Sequence, residues 1–158
     1  MEVSVNDRLG VLGGMGPQAT NTFYQLVIDR TDAHTDQEHV NALILSDCQM
    51  PDRTAAILGT AEEQEAVFQR LLADARLLEQ AGCTVLAVPC NTSHFFLDRV
   101  QEHIGVPILN MIRETAAALK RQGRTRPGIL AMRALAVALS AMTRVPAGSV
   151  SSSAYMSP

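Results

Sequence analysis

Short, uninterrupted apolar runs recur along this chain, and turns and helix-like segments separate them. The runs fall at residues 8–12, 40–45, 84–88 and 107–109, with a further one at 128–131. Gly13-Gly14-Met15-Gly16 reads as a tight turn after the first run. Pro17 suits the first position of a helix that extends to about Arg30. Residues 46–60 read as a polar loop. From Glu62 to Ala81 an apolar stripe of Val67, Leu71, Leu72, Ala75, Leu77 and Leu78 marks a long helix, which Gly82 stops. Helices are also expected from Phe95 through His103 and over residues 112–122. Strands that are apolar at every position must be buried on both faces. The pattern therefore predicts an α/β fold, a parallel sheet flanked by helices.

The chain has 158 residues, enough for one domain with a real core. Hydrophobic content is 47% but aromatic content only 4%, so aliphatic side chains must fill that core. A net charge of −3 argues against nucleic acid as the main partner. No run is long enough to cross a membrane, and the polar N-terminus does not read as a signal peptide. Three irregularly spaced cysteines fit neither a disulfide framework nor a zinc motif, and a reducing cytoplasm is the expected setting. Charge is divided unevenly: residues 1–114 carry −9, and residues 115–158 carry +6 with no Asp or Glu. From Met132 the text becomes rich in Ala, Ser, Met and Arg, without a polar stripe or a cap. That segment reads either as a basic tail or as one without a folded role. Two units follow: residues 1–131 as the α/β domain and residues 132–158 as an irregular tail.

The chemistry points to Val88-Pro89-Cys90-Asn91-Thr92-Ser93-His94. A thiol here sits at the C-terminal end of one strand, before a helix, where α/β proteins place ligands. Helix N-terminal N–H groups favour a thiolate. Asn91, Thr92 and Ser93 add short polar side chains that can cradle a carboxylate. Taken alone, Cys90 would more often be a buried structural cysteine; its neighbours shift that balance. Cys83, at a helix-to-strand turn, and Cys48, in a loop, read as structural. His94 is either a capping group or a proton partner for Cys90.

Two further elements fall at the same sheet edge. Gly14-Met15-Gly16-Pro17-Gln18-Ala19 loosely fits the dinucleotide pattern, with Asp47 as a ribose-binding acid. Pro17 lacks an N–H that a pyrophosphate would use, so a small carboxylate suits this turn better. The plain alternative is a turn that serves chain geometry only. Arg53, in Pro51-Asp52-Arg53-Thr54, offers a bidentate fork for a side-chain carboxylate. Its plain alternative is a surface arginine paired with Asp52. His34 and His39 bracket Asp36-Gln37-Glu38, but their spacing is not that of a metal site, and none is assigned.

Taken together, these segments resemble the aspartate/glutamate racemase family of cofactor-independent amino-acid racemases. The matching pieces are residues 9–20, Asp36-Gln37-Glu38-His39, residues 51–55, Pro89-Cys90-Asn91-Thr92-Ser93-His94 and Met111-Ile112-Arg113-Glu114-Thr115, in family order over residues 8–131. The resemblance implies two similar α/β domains with the site between them, of which this chain carries the first. It implies one cysteine from each domain, one removing the α-proton and the other returning a proton to the opposite face, with no PLP or metal, and a dimeric assembly. By this resemblance Cys90 is the first-domain acid/base. Asn91 and Thr92, with Ser93 beside them, contact the α-carboxylate. Met15 is the glycine-turn contact, and Arg53 holds the side-chain carboxylate of an amino-acid substrate. The family's second cysteine has no counterpart, because no cysteine follows Cys90. Residues 132–158 then read as out-of-frame translation, and racemisation by the chain alone is expected to be weak or absent. Two other readings stay open: a single-cysteine lyase or isomerase of the same superfamily, and a non-catalytic remnant that binds carboxylates or pairs with another subunit.

Overall fold

In the computed structural model, which describes residues 7–124, 126–128 and 131, the expected alternation is realised as a parallel α/β sheet. The elements run β1 (Arg8–Gly13), α1 (Pro17–Arg30), a 3₁₀ turn (Asp36–Glu38), β2 (Asn41–Ser46), α2 (Arg53–Leu58), α3 (Ala61–Gln80), β3 (Val85–Ala87), α4 (His94–Gln101), β4 (Ile108–Leu109) and α5 (Met111–Arg121). The strand order is β2-β1-β3-β4, every pair parallel, with Leu9 level with Ala42 on one side and Val85 on the other. The expected strand over 128–131 rests partly on Ile129 and Leu130, which lie outside the described residues, as does the tail from 132 to 158.

Side chains alternate across the central strands and sort into two cores. Leu9 and Val11 of β1 and Val85 and Ala87 of β3 face α1, meeting Phe23 and Val27. Leu12 and Leu86 face the other way, against Phe68, Leu71 and Leu78 of α3 and Leu97 and Val100 of α4. Burying each such side chain contributes about 1.5–3 kcal/mol. At the sheet margin β2 is less covered, and Leu43 and Ile44 are each 39% exposed. An apolar run therefore does not here mean burial on both faces; β2 lies at one end of the strand order.

The helix starts follow local chemistry. Pro17 opens α1 behind Gly16. Thr60 and Glu63 form a reciprocal capping box at the start of α3. Residues 46–60 differ from the expected polar loop, because they contain α2. The Asp52 carboxylate accepts from the Thr54 and Ala55 N–H groups, and Ala56 and Ile57 are buried. A helix this short is set by its cap and its contact with α3 rather than by any periodic stripe. Among the described residues no helix is long and apolar enough to cross a membrane.

Candidate active site

In a parallel sheet all strand C-termini share one edge. The chain leaves β1 toward β2 and leaves β3 toward β4, so the crevice between β1 and β3 is the topological switch point. Three loops meet there: the glycine turn after β1, residues 47–52 after β2, and residues 88–93 after β3.

The glycine turn is built around one side chain that the sequence reading passed over. The Thr20 hydroxyl, buried on α1, accepts from the Gly14 N–H at 2.9 Å and donates to the Gly16 carbonyl at 3.1 Å. Gly14 has φ +87° and lies flat against the backbone of Asp47. Asp47 N–H donates to the Gly13 carbonyl at 3.2 Å. The turn thereby presents Met15, whose side chain is buried.

Cys90 sits on the neighbouring loop, 8% exposed. Its Sγ lies 3.5 Å from the Thr92 hydroxyl. The Ser93 hydroxyl donates to the Met15 sulfur at 3.2 Å and also lies in hydrogen-bonding reach of the thiol. Burial pushes the Cys90 thiol up. The Ser93 and Thr92 hydroxyls, the Ser93 N–H and the positive charge of Arg53 outweigh it, and the net shift is below the ordinary cysteine value. This contrasts with Cys83, which burial pushes up, and with Cys48, which is exposed in its loop rather than packed. Arg53 donates to the Met50 and Pro51 carbonyls at 3.3 and 2.9 Å, and its buried Nε–H has no partner. The plain alternative, an arginine paired with Asp52, is not what forms: Asp52 Oδ1 caps α2 and Arg53 turns to the loop carbonyls.

The structure thus gathers Cys90, Thr92, Ser93, Met15 and Arg53, with Asn91 exposed at the rim. Ser93 is fully buried, so its hydroxyl serves the thiol from behind. His94 does not face the thiol. Its Nδ1 bonds the Cys90 carbonyl at 2.8 Å, and its Nε2 accepts from the Met111 N–H at 3.0 Å. Accepting at Nε2 makes Nδ1–H the donor, and both ring nitrogens are thereby used in tying the Cys90 loop to α5. Burial holds the imidazole below its ordinary pKa, in the neutral form that this double bond requires. Replacing His94 by leucine leaves a buried carbonyl and an amide unpaired, with an expected loss of about 2 kcal/mol in urea denaturation.

Asp47 is no ribose ligand in this structure. Its Oδ1 accepts from the Gln49 N–H at 3.0 Å and its Oδ2 from Arg70 Nε at 2.5 Å. The hydrogen bond from Arg70, with help from Gln49, holds its carboxyl below the usual range. Among the described residues no group of three or more His, Cys, Asp or Glu side chains could hold a metal. A cavity of about 280 Å³ beside Tyr24, Thr31 and His39 lies at the opposite, N-terminal edge of the sheet, away from the thiol.

Comparisons with known proteins agree with this architecture. The Asp/Glu/Hydantoin racemase family model matches residues 12–141. The broad specificity amino-acid racemase RacX of Bacillus subtilis (strain 168) is 32% identical over 111 residues, 68% of this chain and 47% of that protein. The structure of Picrophilus torridus aspartate racemase superposes with a TM-score of 0.66 at 33% identity, covering 75% of this chain and 49% of that one. An aspartate racemase homologue from Pyrococcus horikoshii OT3 shares the fold, with a TM-score of 0.62 at 24% identity over 74% of this chain and 50% of the other. The chain spans about half the length of each of these relatives. A family match over most of the chain, laid on a thiol cradled at the sheet's switch point, places this protein in the Asp/Glu/hydantoin racemase family.

Proposed function

We propose that this domain carries one proton-transfer wall of an amino-acid racemase, with Cys90 as its acid/base and no PLP or metal. One observation carries the reading: a buried thiol at the sheet's switch point has the Thr92 hydroxyl 3.5 Å away and the positive charge of Arg53 facing it, and these surroundings pull it below its ordinary pKa. Buried structural thiols shift the other way, as Cys83 does.

The reaction asks for little else at this wall. The Cys90 thiolate takes the α-proton and becomes the thiol; the electron pair of the broken C–H bond stays on the substrate, spread toward its carboxylate. Asn91 and Thr92 stand at the turn before α4, where a carboxylate meets short polar side chains. Arg53 has an unpartnered N–H for a second carboxylate, which favours aspartate or glutamate. Ser93 stabilises the thiolate through its N–H, while its hydroxyl donates to the Met15 sulfur.

A single thiol handles one face of the α-carbon. The full chain, incubated in D₂O with D- and L-aspartate and D- and L-glutamate, should remove the α-proton NMR signal of one enantiomer only. No exchange from any of the four overturns the reading. Exchange from both enantiomers with inversion reveals a second acid/base and a complete racemase.

A further inference from the structure

Behind the glycine turn lies a charged cluster that the chemistry above does not use. Asp47 directly follows β2, and Arg70 and Asp74 stand one turn apart on α3. The Asp47 side chain is 8% exposed and its partner Arg70 46%. Asp74 is 7% exposed, and its Oδ2 is buried without a hydrogen-bond partner. Burying charge this deep is costly unless it is paired, and Arg70 supplies the pairing for Asp47.

What the cluster holds is the turn. Asp47 contacts Gly14 through backbone atoms, and its N–H bonds the Gly13 carbonyl. Gly14 leads into Met15, whose sulfur receives the Ser93 hydroxyl, and Ser93 lies three residues after Cys90 on the same loop, where its polar groups help lower the thiol's pKa. We propose that Asp47, clamped between Arg70 and Asp74 of α3, is a positioning residue for the Cys90 thiol, acting through the glycine turn, Met15 and Ser93. The proposal rests on the reading of Cys90 as the working thiol.

The clamp has a titratable jaw. Burial, then the negative charge of Asp47 and a hydrogen bond to it, push the Asp74 carboxyl up to about 6, while Arg70 opposes them. Several other charges on the packed elements are engaged elsewhere. Arg99 and His103 meet Glu65 and Phe68, Arg53 of α2 bonds loop carbonyls, and Arg8 of β1 bonds the Ala81 carbonyl. Below about pH 6 Asp74 carries a proton and can donate to the Asp47 carboxylate. Above it two carboxylates face each other across one arginine, and the clamp loosens.

The test is iodoacetamide alkylation of the full chain across pH 5–9, with each cysteine followed by peptide mass spectrometry. No amino acid is added, so the outcome is separate from that of the exchange assay. Cys83, buried in the core, reports global opening. Asp47→Asn should raise the midpoint of Cys90 alkylation by about one pH unit, about a tenfold slower reaction at pH 7, with Cys83 still protected. The wild-type Cys90 profile should carry an inflection near pH 6 that Asp74→Asn removes, since the amide keeps a donor toward Asp47 but cannot ionise. Cys90 profiles of both folded variants that superpose on the wild type overturn the proposal. If Asp47→Asn fails to fold, Asp74→Asn decides alone: an inflection that persists in it overturns the proposal.

Discussion

Cys90→Ser should abolish α-proton exchange, with a fall of about 10³-fold or more, while the protein keeps its fold. The expected size follows from what the substitution removes. A positioned acid/base contributes about 10²–10⁴ in rate. A serine hydroxyl occupies nearly the same space and keeps its contact with Thr92, so packing is preserved. It does not ionise near neutrality, so the cradle of Ser93, Thr92 and Arg53 has no anion to stabilise. The pH dependence gives a second signature. The cradle holds the Cys90 pKa below the ordinary cysteine value, so the wild-type rate should rise with pH through a midpoint below that of a free cysteine thiol. Arg53→Ala removes one of the opposing forces, and that midpoint should move up. Exchange by the serine variant at the wild-type rate would show that the base is another group.

Much of this arrangement was legible in the sequence because it depends on local rules. The β1 and β3 runs are apolar throughout since both faces of a central parallel strand are covered, and Leu9, Val11, Val85 and Leu86 are buried as that rule requires. The thiol's place followed from strand and helix order alone, since every strand of a parallel sheet ends on one edge. What escaped depends on contacts between distant residues. The end position of β2 is a property of strand order, invisible in the residues of β2 itself. The six-residue α2 has no stripe to read; its signal was the pair Pro51-Asp52, an N-cap that looked like part of a turn. His94, four residues on, reads in the sequence as either a capping group or a proton partner, and only the fold turns its ring toward the Cys90 carbonyl and Met111. Arg70 and Asp74 sit one helical turn apart, but only the fold shows that their common partner is Asp47, 23 residues before Arg70. Ser93 illustrates the same limit. Its neighbours marked it as a cradle residue, while its direction, into the Met15 sulfur rather than out to solvent, is a product of packing.

Gly14→Ala is the second substitution from which a large effect is expected, and its cost falls on stability. At φ +87° an alanine adopts a conformation that its Cβ disfavours by about 1 kcal/mol. The surroundings add more. The nearest atoms, the backbone nitrogen, carbon and oxygen of Asp47, lie closer to the new methyl than any real contact allows. Backbone bound into β2 on one side and to the Gly13 carbonyl on the other cannot swing aside as a side chain would. The turn and the end of β2 must separate, and the hydrogen bond from Asp47 N–H to Gly13 lengthens or breaks. Strain, clash and lost bond together place the expected loss at about 3 kcal/mol or more in urea denaturation, a large share of the 5–15 kcal/mol that holds a typical domain together. Gly16, two residues on, is the control within the same turn, because a methyl group there meets open space. Gly16→Ala should cost far less than Gly14→Ala. A similar loss at the two positions would mean that the turn resists any side chain, whereas the expected difference ties the cost to one contact, the backbone of Asp47 against Gly14.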